Sequence, residues 1–395
     1  MSNSVSTFSH TSQHPTLPVT SLLALALAGF ITILTEALPA GLLPQISADF
    51  GVSESLAGQL VTIYAIGSLV AAIPLTAITR GLRRRPLLLT TLAGFVLANS
   101  VTTFSESYLL TMTARFLAGV SAGLLWALLA GYAARMVPEH QKGKAIAIAM
   151  VGTPLALAFG VPIGTFLSHW VGWRTCFGIM STLALALMVW VQTQLPDFQG
   201  QSASQQLPLR RVFTLAGIRS VLFVVFAFVL AHNILYTYIA PFLTAIGMIE
   251  RTGLILLIFG ITSLLGIWIV GVLVDQHLRV LTLVSTALFS LSAIMLGIVS
   301  NESAIVYAAV TIWGLAFGGA ATLFQTAIAK TAGDASDVAQ SMLVTVWNIA
   351  IAGGGIMGGV LLDWFGTTSF SPVLLILLSI TMIAVWRASK KGFCR

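Results

Sequence analysis

Charged residues are scarce in this sequence. Only 8% of its 395 residues are Asp, Glu, Lys or Arg, whereas soluble domains carry about 25%. So few charges cannot cover the surface of a soluble protein, and 57% of the residues are hydrophobic. Apolar stretches recur from Val19 to Trp386, each close to the roughly 20 residues that cross a bilayer. We therefore predict a bundle of membrane-spanning helices, because unpaired backbone groups cannot face lipid.

Other features that are missing narrow the function. Cys176 and Cys394 are the only cysteines, so a disulfide framework or a cysteine metal site is not expected. Residues 1–17 contain no Lys or Arg, so they lack the basic start of a cleavable signal and are predicted to be a cytoplasmic tail. Nucleotide-binding loops, metal-ligand spacing and nucleophile or paired-acid constellations are also missing. We expect no cofactor and no enzyme activity; a membrane enzyme or sensor is the alternative class.

The apolar stretches predict twelve helices, numbered 1 to 12 in chain order. They are expected at residues 19–44, 55–78, 86–105, 108–136, 143–168, 172–195, 217–247, 252–274, 279–299, 303–329, 337–362 and 368–388. The one long polar connection, 196–216, separates a six-helix bundle at 18–195 from a second bundle at 217–388, and residues 389–395 form a tail.

The basic residues predict the orientation of these helices. Apart from Arg115, Arg174 and Arg251, every Lys and Arg lies in or beside alternate connections or in the C-terminal tail. Cytoplasmic connections are enriched in Lys and Arg, so both termini are predicted to be cytoplasmic, in a bacterial inner membrane. The net charge of +7 is thereby explained by topology, and nucleic-acid binding is not expected.

The two predicted bundles share a pattern of small residues. Gly160, Gly164, Trp170 and Gly172 recur 194 positions later as Gly354, Gly358, Trp364 and Gly366, and Gly119 and Gly123 recur as Gly314 and Gly318. This near-constant offset predicts two parallel six-helix repeats, although chance in glycine-rich helices is the alternative.

Three ionisable residues are good candidates for positions inside the hydrocarbon: Glu36 in helix 1, Arg115 in helix 4 and His232 in helix 7. Such residues are rare at membrane depth because an unpaired charge there costs at least about 2.5–3.5 kcal/mol. Glu36 and Arg115 are expected at similar depth, where their side chains could pair and a proton or solute could compete. Burial disfavours the charged form of a carboxyl and a nearby cation favours it, so such a carboxyl is suited to bind and release a proton. A static ion pair that fixes helix packing is the alternative.

Other polar and aromatic residues predict a wet central cavity. His232, Asn233, Tyr236 and Tyr238 form a polar stripe in helix 7, which suits hydrogen bonding to a polar solute but is also typical of an interhelical cluster. The remaining candidates at membrane depth are Asn99, Trp126, Gln325, Trp347 and Asn348, each of which alone is more often packing than a ligand contact.

Several motifs resemble the major facilitator superfamily, in its drug:proton antiporter-1 branch. They are TEALPAGLLPQI in helix 1, TRGLRRRPLLL after helix 2, RFLAGVSAGLLWAL in helix 4, GVPIGTFLSHWVGWRTCF from helix 5 into helix 6, and YTYIAPF, GVLVDQHLR and DASDVAQSMLVTVWNIAIAGGG in the second half. Within that branch the sequence is most similar to bacterial sugar, arabinose and purine-ribonucleoside efflux carriers. The resemblance implies a monomeric, lipid-embedded carrier that exports a small organic solute in exchange for protons. An uptake permease or uniporter of the same fold is the alternative.

The resemblance also implies roles for particular residues. The family's gating motif corresponds to Arg80, Arg83, Arg84 and Arg85, and its second copy to Gly271, Asp275 and Arg279. Thr79 and Leu82 depart from the usual Asp and Gly, so these arginines are expected to meet phosphates or helix C-termini instead, or to be a plain positive-inside cluster. Arg115 corresponds to the buried arginine of the family's helix 4 motif, which is linked to proton coupling in relatives. Gly160, Pro162 and Gly164 correspond to the antiporter motif, and we expect them to let helix 5 approach the opposite half and bend.

Overall fold

The structure is a computed structural model that describes residues 17–79, 81–138, 141–200, 209–298, 302–388 and 392–393. These residues are almost entirely helical and contain no β-strand. Twelve helices are long and apolar enough to cross a membrane: Val19–Gly41, Glu54–Ala72, Arg84–Phe104, Tyr108–Arg135, Ala145–Val171, Trp173–Gln194, Ile218–Thr237, Ile249–Val274, Gln276–Ile298, Ser303–Ala332, Val338–Phe365 and Thr367–Arg387. The predicted fold class and helix count are confirmed.

The outside of the bundle is apolar. Large side chains such as Phe104, Trp170 and Trp364 are 83%, 78% and 78% exposed, respectively. Water cannot cover such a surface without a large hydrophobic penalty, whereas lipid can. The chain is therefore a multi-pass membrane protein.

Several of the helices are interrupted, and two of the interruptions lie next to a proline. Helix 1 is α-helical to Ala37 and tightens into a 3-10 turn at Leu38–Gly41, where Pro39 cannot donate a backbone hydrogen bond. Helix 7 ends at Thr237, four residues before Pro241, and a short helix resumes at Ile239–Ala245.

Helices 5 and 10 are also discontinuous. Helix 5 contains a π-helical turn at Ala156–Gly160, a distortion that is frequent at functional sites. Helix 10 consists of Ser303–Gly318 and Ala320–Ala332, separated at Gly319. Helices 8 and 9 are continuous in the chain, with the bend at His277.

The repeated glycines make equivalent contacts in the two halves. A Cβ added at Gly119 of helix 4 would lie 2.0 Å from the Tyr64 carbonyl oxygen of helix 2. Its counterpart Gly314 of helix 10 would bring a Cβ within 2.5 Å of the Phe259 carbonyl oxygen of helix 8. Helix 4 thus packs on helix 2 as helix 10 packs on helix 8, which supports two copies of one six-helix arrangement.

The ends of helices 5 and 11 correspond in the same way. Gly172 and Gly366 follow these helices with φ of 80° and 69°, values that favour glycine. Just before them, Trp170 and Trp364 are equally exposed, as expected for aromatic anchors at a membrane interface.

Two faces of the bundle serve as landmarks. The linker face is the end where the connection between helices 2 and 3 meets the linker, with Arg83 Nε 2.6 Å from Asp197 Oδ2. The Asp49 face is the opposite end, where Asp49 accepts a hydrogen bond from Trp173 Nε1 at 2.9 Å and pairs with Arg174.

The halves meet through helix 2 against helix 11, helix 5 against helix 8, and the end of helix 1 against helix 7. Among the described residues, every side-chain hydrogen bond between the halves involves Ser55 or Gln59, near the start of helix 2 on the Asp49 face. The halves are therefore joined toward that face.

Candidate functional site

Arg115 lies at the centre of the first half and is 1% exposed. Pro39 has no N–H, so the Thr35 carbonyl four residues earlier loses its usual helical donor. Arg115 Nη1 donates to that oxygen. Its Nη2 donates to the Glu36 carbonyl oxygen at 3.2 Å, and its Nε to the Leu60 carbonyl oxygen at 3.1 Å. The guanidinium therefore ties helix 4 to helices 1 and 2.

The Glu36 side chain projects from the same turn of helix 1. It is partly exposed, and its carboxylate forms no hydrogen bond or ion pair with any residue in the described ranges. The direct pair with Arg115 considered from the sequence is thus not formed in this conformation, although the guanidinium is near enough to act on the carboxylate electrostatically. The carboxylate also lies within electrostatic range of the Tyr236 hydroxyl of the other half. It is therefore near the boundary between the halves.

Opposite Glu36, helices 7, 8 and 10 contribute an aromatic cluster. The His232 and Phe317 rings stack with centroids 3.4 Å apart and planes 7° apart. The Tyr236 and Trp313 ring centroids lie 5.2 and 5.3 Å from that of His232, and Phe259 lies 4.4 Å from Trp313. His232 and Tyr236 share one helical face, as their spacing predicted.

Asn233 and Tyr238, the other members of the helix 7 stripe, do not join the aromatic cluster. The Asn233 amide donates to the Val229 carbonyl oxygen at 2.9 Å within its own helix, and its Cβ packs at Gly354 of helix 11. Both residues contribute to helix packing in this conformation.

Tyr238 stands at the contact between the halves on the Asp49 face. Its hydroxyl donates to the Gly355 carbonyl oxygen at 2.7 Å and accepts from Gln59 Nε2 at 3.2 Å. Beside it, Ser55 Oγ donates to Asp363 Oδ2 at 2.5 Å. This network closes the space between the halves at that end.

Sequence reasoning missed two parts of this arrangement. Ser55, Gln59 and Thr62 lie on one face of helix 2, and their spacing of four and three could have marked the face that meets helix 11. Trp313 and Phe317 are likewise four residues apart on helix 10, but an aromatic pair in an apolar helix is usually simple packing.

The other predicted cavity residues are dispersed. Asn99 is buried behind helix 1 and donates to Thr35 Oγ1 at 3.1 Å, and Trp126 packs near Gly29 of helix 1. Trp347 borders the aromatic cluster, with its ring centroid 6.3 Å from that of Phe317.

Gln325 and Asn348 stay apart from the cluster as well. Gln325 is exposed, and its carbonyl oxygen accepts from Gln340. The Asn348 amide donates to the Val344 carbonyl oxygen of its own helix at 2.9 Å. Neither side chain is brought to Glu36 or to His232.

The predicted gating arginines lie at the linker face. Arg83 pairs with Asp197, and Arg85 Nη1 donates to the Leu195 carbonyl oxygen at 3.3 Å, at the C-terminus of helix 6. Arg84 contributes its backbone N–H to the Phe198 carbonyl oxygen. Arg279 Nη2 donates to the Trp386 carbonyl oxygen at 2.9 Å. Arg80 and the Asp275 side chain lie outside the described part of the chain.

The prediction that Gly160 and Gly164 let helix 5 approach the opposite half is wrong. A Cβ at Gly160 would lie 2.9 Å from Phe30, and one at Gly164 2.7 Å from Leu38, so both glycines face helix 1 of the same half. The close approach to the other half is made by Ala158, whose Cα lies 2.2 Å from a Cβ added at Gly260 of helix 8. Successive residues of a helix point in directions about 100° apart, so Gly160, two residues after Ala158, faces nearly the opposite way.

Pro162 does lie beside the opposite half. Its carbonyl oxygen is 3.6 Å from a Cβ added at Gly253 of helix 8. Pro162 follows directly on the π-helical turn that ends at Gly160, so the predicted bend in helix 5 has a structural counterpart. A hinge role for this segment remains a prediction.

The structure has two six-helix halves with a carboxylate and an aromatic cluster between them. The sequence also matches a protein family across most of the chain. The sequence model of the Major Facilitator Superfamily matches residues 25–355. The chain belongs to the Major Facilitator Superfamily. Its members are transporters, so the paired halves and the region between them are the framework of a transport protein.

Relatives within the superfamily cover nearly the whole chain. A protein of Mannheimia succiniciproducens named "Probable sugar efflux transporter" is 28% identical over 372 residues, which is 92% of each chain. The "Purine ribonucleoside efflux pump NepI" of Escherichia coli strain K12 is 26% identical over 363 residues, 91% of this chain and 92% of the relative. The version from Shigella sonnei is also 26% identical over 363 residues.

Proposed function

We propose that this facilitator exports a small organic solute, such as a sugar, nucleoside or drug, in exchange for protons that enter the cell. It would work as a monomer in a bacterial inner membrane, with both termini in the cytoplasm and no cofactor other than the proton gradient. The efflux names of its relatives support the direction of transport.

The observation that carries the proposal is the position of the Glu36 carboxylate. It lies in a membrane-spanning helix, is partly exposed, and is within electrostatic range of Tyr236 of the other half. A charge retained at such depth is costly unless water, a partner or a proton relieves it. Arg115 supplies a nearby positive charge that favours the carboxylate without sealing it in an ion pair.

In the proposed cycle, the orientation predicted from the basic residues places the linker face in the cytoplasm. The network of Ser55, Gln59 and Tyr238 then closes the outer end, and a solute enters from the cytoplasm while Glu36 is charged. After the halves rock, Glu36 takes a proton from outside as the solute leaves. Protonation removes the buried charge and changes the relative stability of the two conformations, which favours the return, and Glu36 then releases the proton to the cytoplasm.

The first prediction concerns Glu36→Gln. Everted membrane vesicles energised by respiration should accumulate a labelled nucleoside or sugar through the wild-type protein, and a protonophore should abolish the accumulation. Glu36→Gln should lose accumulation completely, because an amide cannot carry a proton between the two sides, but should still exchange labelled for unlabelled solute. Glu302→Gln, on an exposed connection, is the matched control.

Two outcomes separate coupling from other defects. Loss of exchange together with accumulation would indicate a folding or binding fault and not loss of coupling. Accumulation by Glu36→Gln at the wild-type rate, still sensitive to the protonophore, would exclude Glu36 as the coupling residue.

A further inference from the structure

The aromatic cluster between helices 7 and 10 contains three polar atoms that lack partners. His232 Nδ1, Tyr236 Oη and Trp313 Nε1 are fully buried and form no hydrogen bond within the described part of the chain. Leaving a buried polar atom unpaired costs about 1–3 kcal/mol. Three such atoms within one cluster are therefore best explained by a binding partner that is absent from this conformation.

The rings around these atoms define the shape of that partner. Phe317 lies flat on His232, with the centroids 3.4 Å apart, which is the thickness of one aromatic ring. Full face-to-face stacking is the least favourable arrangement of two aromatic rings, so a more polar flat ring could replace Phe317 without loss. Phe317 is only partly buried and lies two residues before the break in helix 10 at Gly319, so its side chain can leave the slot.

The polar atoms define the chemistry. Trp313 Nε1 can only donate a hydrogen bond, whereas the Tyr236 hydroxyl can donate or accept, and neutral His232 presents one donor and one acceptor nitrogen. The partner therefore needs at least one acceptor atom at the edge of a flat ring. None of the described cation–ring contacts involves a ring of this cluster, and the charged group that acts on Tyr236 is the Glu36 carboxylate, so an anionic ring is disfavoured.

We propose that the cluster is a binding site for an uncharged heteroaromatic ring, which displaces Phe317, stacks on His232 and bonds to Tyr236 and Trp313. The solute class is then that of a nucleobase or nucleoside, and the hydroxyls of a sugar are not the recognised part. This inference rests on the proposed transport function. Because the Tyr236 hydroxyl is also within electrostatic range of Glu36, the occupied site would lie near the proposed proton carrier.

Equilibrium binding to the purified protein in nanodiscs tests the proposal without any proton gradient. Tritiated adenosine, inosine and uridine are the probes, with adenine and ribose as competitors. We expect at least one nucleoside to bind, adenine to displace it, and ribose to have no effect. Failure of all three nucleosides to bind, or displacement by ribose and not by adenine, would overturn the assignment.

Conservative variants test the individual contacts. Tyr236→Phe keeps the ring and removes only the hydroxyl, so it should weaken binding about twofold to tenfold, the range for one hydrogen bond. Trp313→Phe keeps an aromatic group but loses the indole N–H and part of the ring, so it should weaken binding at least as much. Trp364→Phe, at a residue that is 78% exposed, should bind normally. If a bound base also quenches tryptophan fluorescence, most of that quenching should disappear in Trp313→Phe and persist in Trp364→Phe.

Phe317→Ala separates a binding slot from ordinary packing. Removing the ring that occupies the slot should strengthen nucleoside binding, whereas a purely structural role predicts weaker binding and a lower melting temperature. Weaker binding in Phe317→Ala with an unchanged melting temperature would also contradict the proposal. If the purified protein binds nucleosides but vesicles show no proton-driven accumulation, the proposed coupling is wrong and the proposed binding site is still supported.

Discussion

At the scale of single residues, Arg115 is defined by the oxygens that it contacts. The sequence pointed to a carboxylate partner, but the guanidinium instead supplies donors to the carbonyls of Thr35, Glu36 and Leu60. The reason is Pro39, which removes the backbone donor of Thr35. This relation was readable from the spacing of four residues, whereas the choice between carbonyl and carboxylate depends on side-chain positions that no pattern in one sequence specifies.

We predict that Arg115→Lys lowers the stability of the protein by about 1–3 kcal/mol, since one ammonium cannot reach three carbonyls spread over two helices. The melting temperature in detergent should fall, while Arg251→Lys, at an exposed residue bonded to Tyr307, should leave it unchanged. An unaltered melting temperature in Arg115→Lys would mean that its positive charge alone matters.

At the scale of helices, the close approaches at repeated glycines hold each half together. A Cβ at Gly119 would lie 2.0 Å from the Tyr64 carbonyl oxygen, and one at Gly314 2.5 Å from the Phe259 carbonyl oxygen. Backbone cannot yield as a flexible side chain can, so we predict that Gly119→Ala and Gly314→Ala each destabilise the protein by about 1–3 kcal/mol.

The matched control for these substitutions is Gly131→Ala on helix 4, where an added Cβ would meet nothing within 4 Å. It should be neutral or stabilising by up to about 1 kcal/mol, because alanine favours the helix. Thermal unfolding of all three variants in detergent is the measurement, and equal melting temperatures would refute the close approach.

The sequence predicted helices far better than helix faces. Helix 3 was expected at 86–105 and is observed at Arg84–Phe104, because hydrophobic length is a strong one-dimensional signal. The π-helical turn of helix 5 was not anticipated, and the faces of Gly160 and Gly164 were assigned to the wrong neighbour. An extra residue in a helical turn rotates everything after it, and nothing in the local composition announces it.

At the scale of the whole molecule, the described hydrogen bonds between the halves all lie toward the Asp49 face, and Gly260 of helix 8 touches Ala158 of helix 5. We predict that Gly260→Ala pushes the halves apart there and shifts the population toward a conformation closed at the linker face. Gly253→Ala is the matched control, since its added Cβ would be 3.6 Å from the nearest atom.

Spin labels at Leu82→Cys and Gly271→Cys, in a background without Cys176 and Cys394, would report this shift. The distance across the linker face should shorten in Gly260→Ala and stay at the wild-type value in Gly253→Ala. Identical distance distributions in the two variants would show that this contact does not influence which conformation is populated.

The grip of Arg115 on the Glu36 carbonyl has one more consequence. Helices 1 and 4 belong to the same half, so in the proposed cycle this bond would keep the acidic group at a fixed position within that half while the halves rock. The water that reaches the group would then change sides. The transmembrane voltage would then act on a proton as it travels down an aqueous path, and hardly at all on a migrating protein charge.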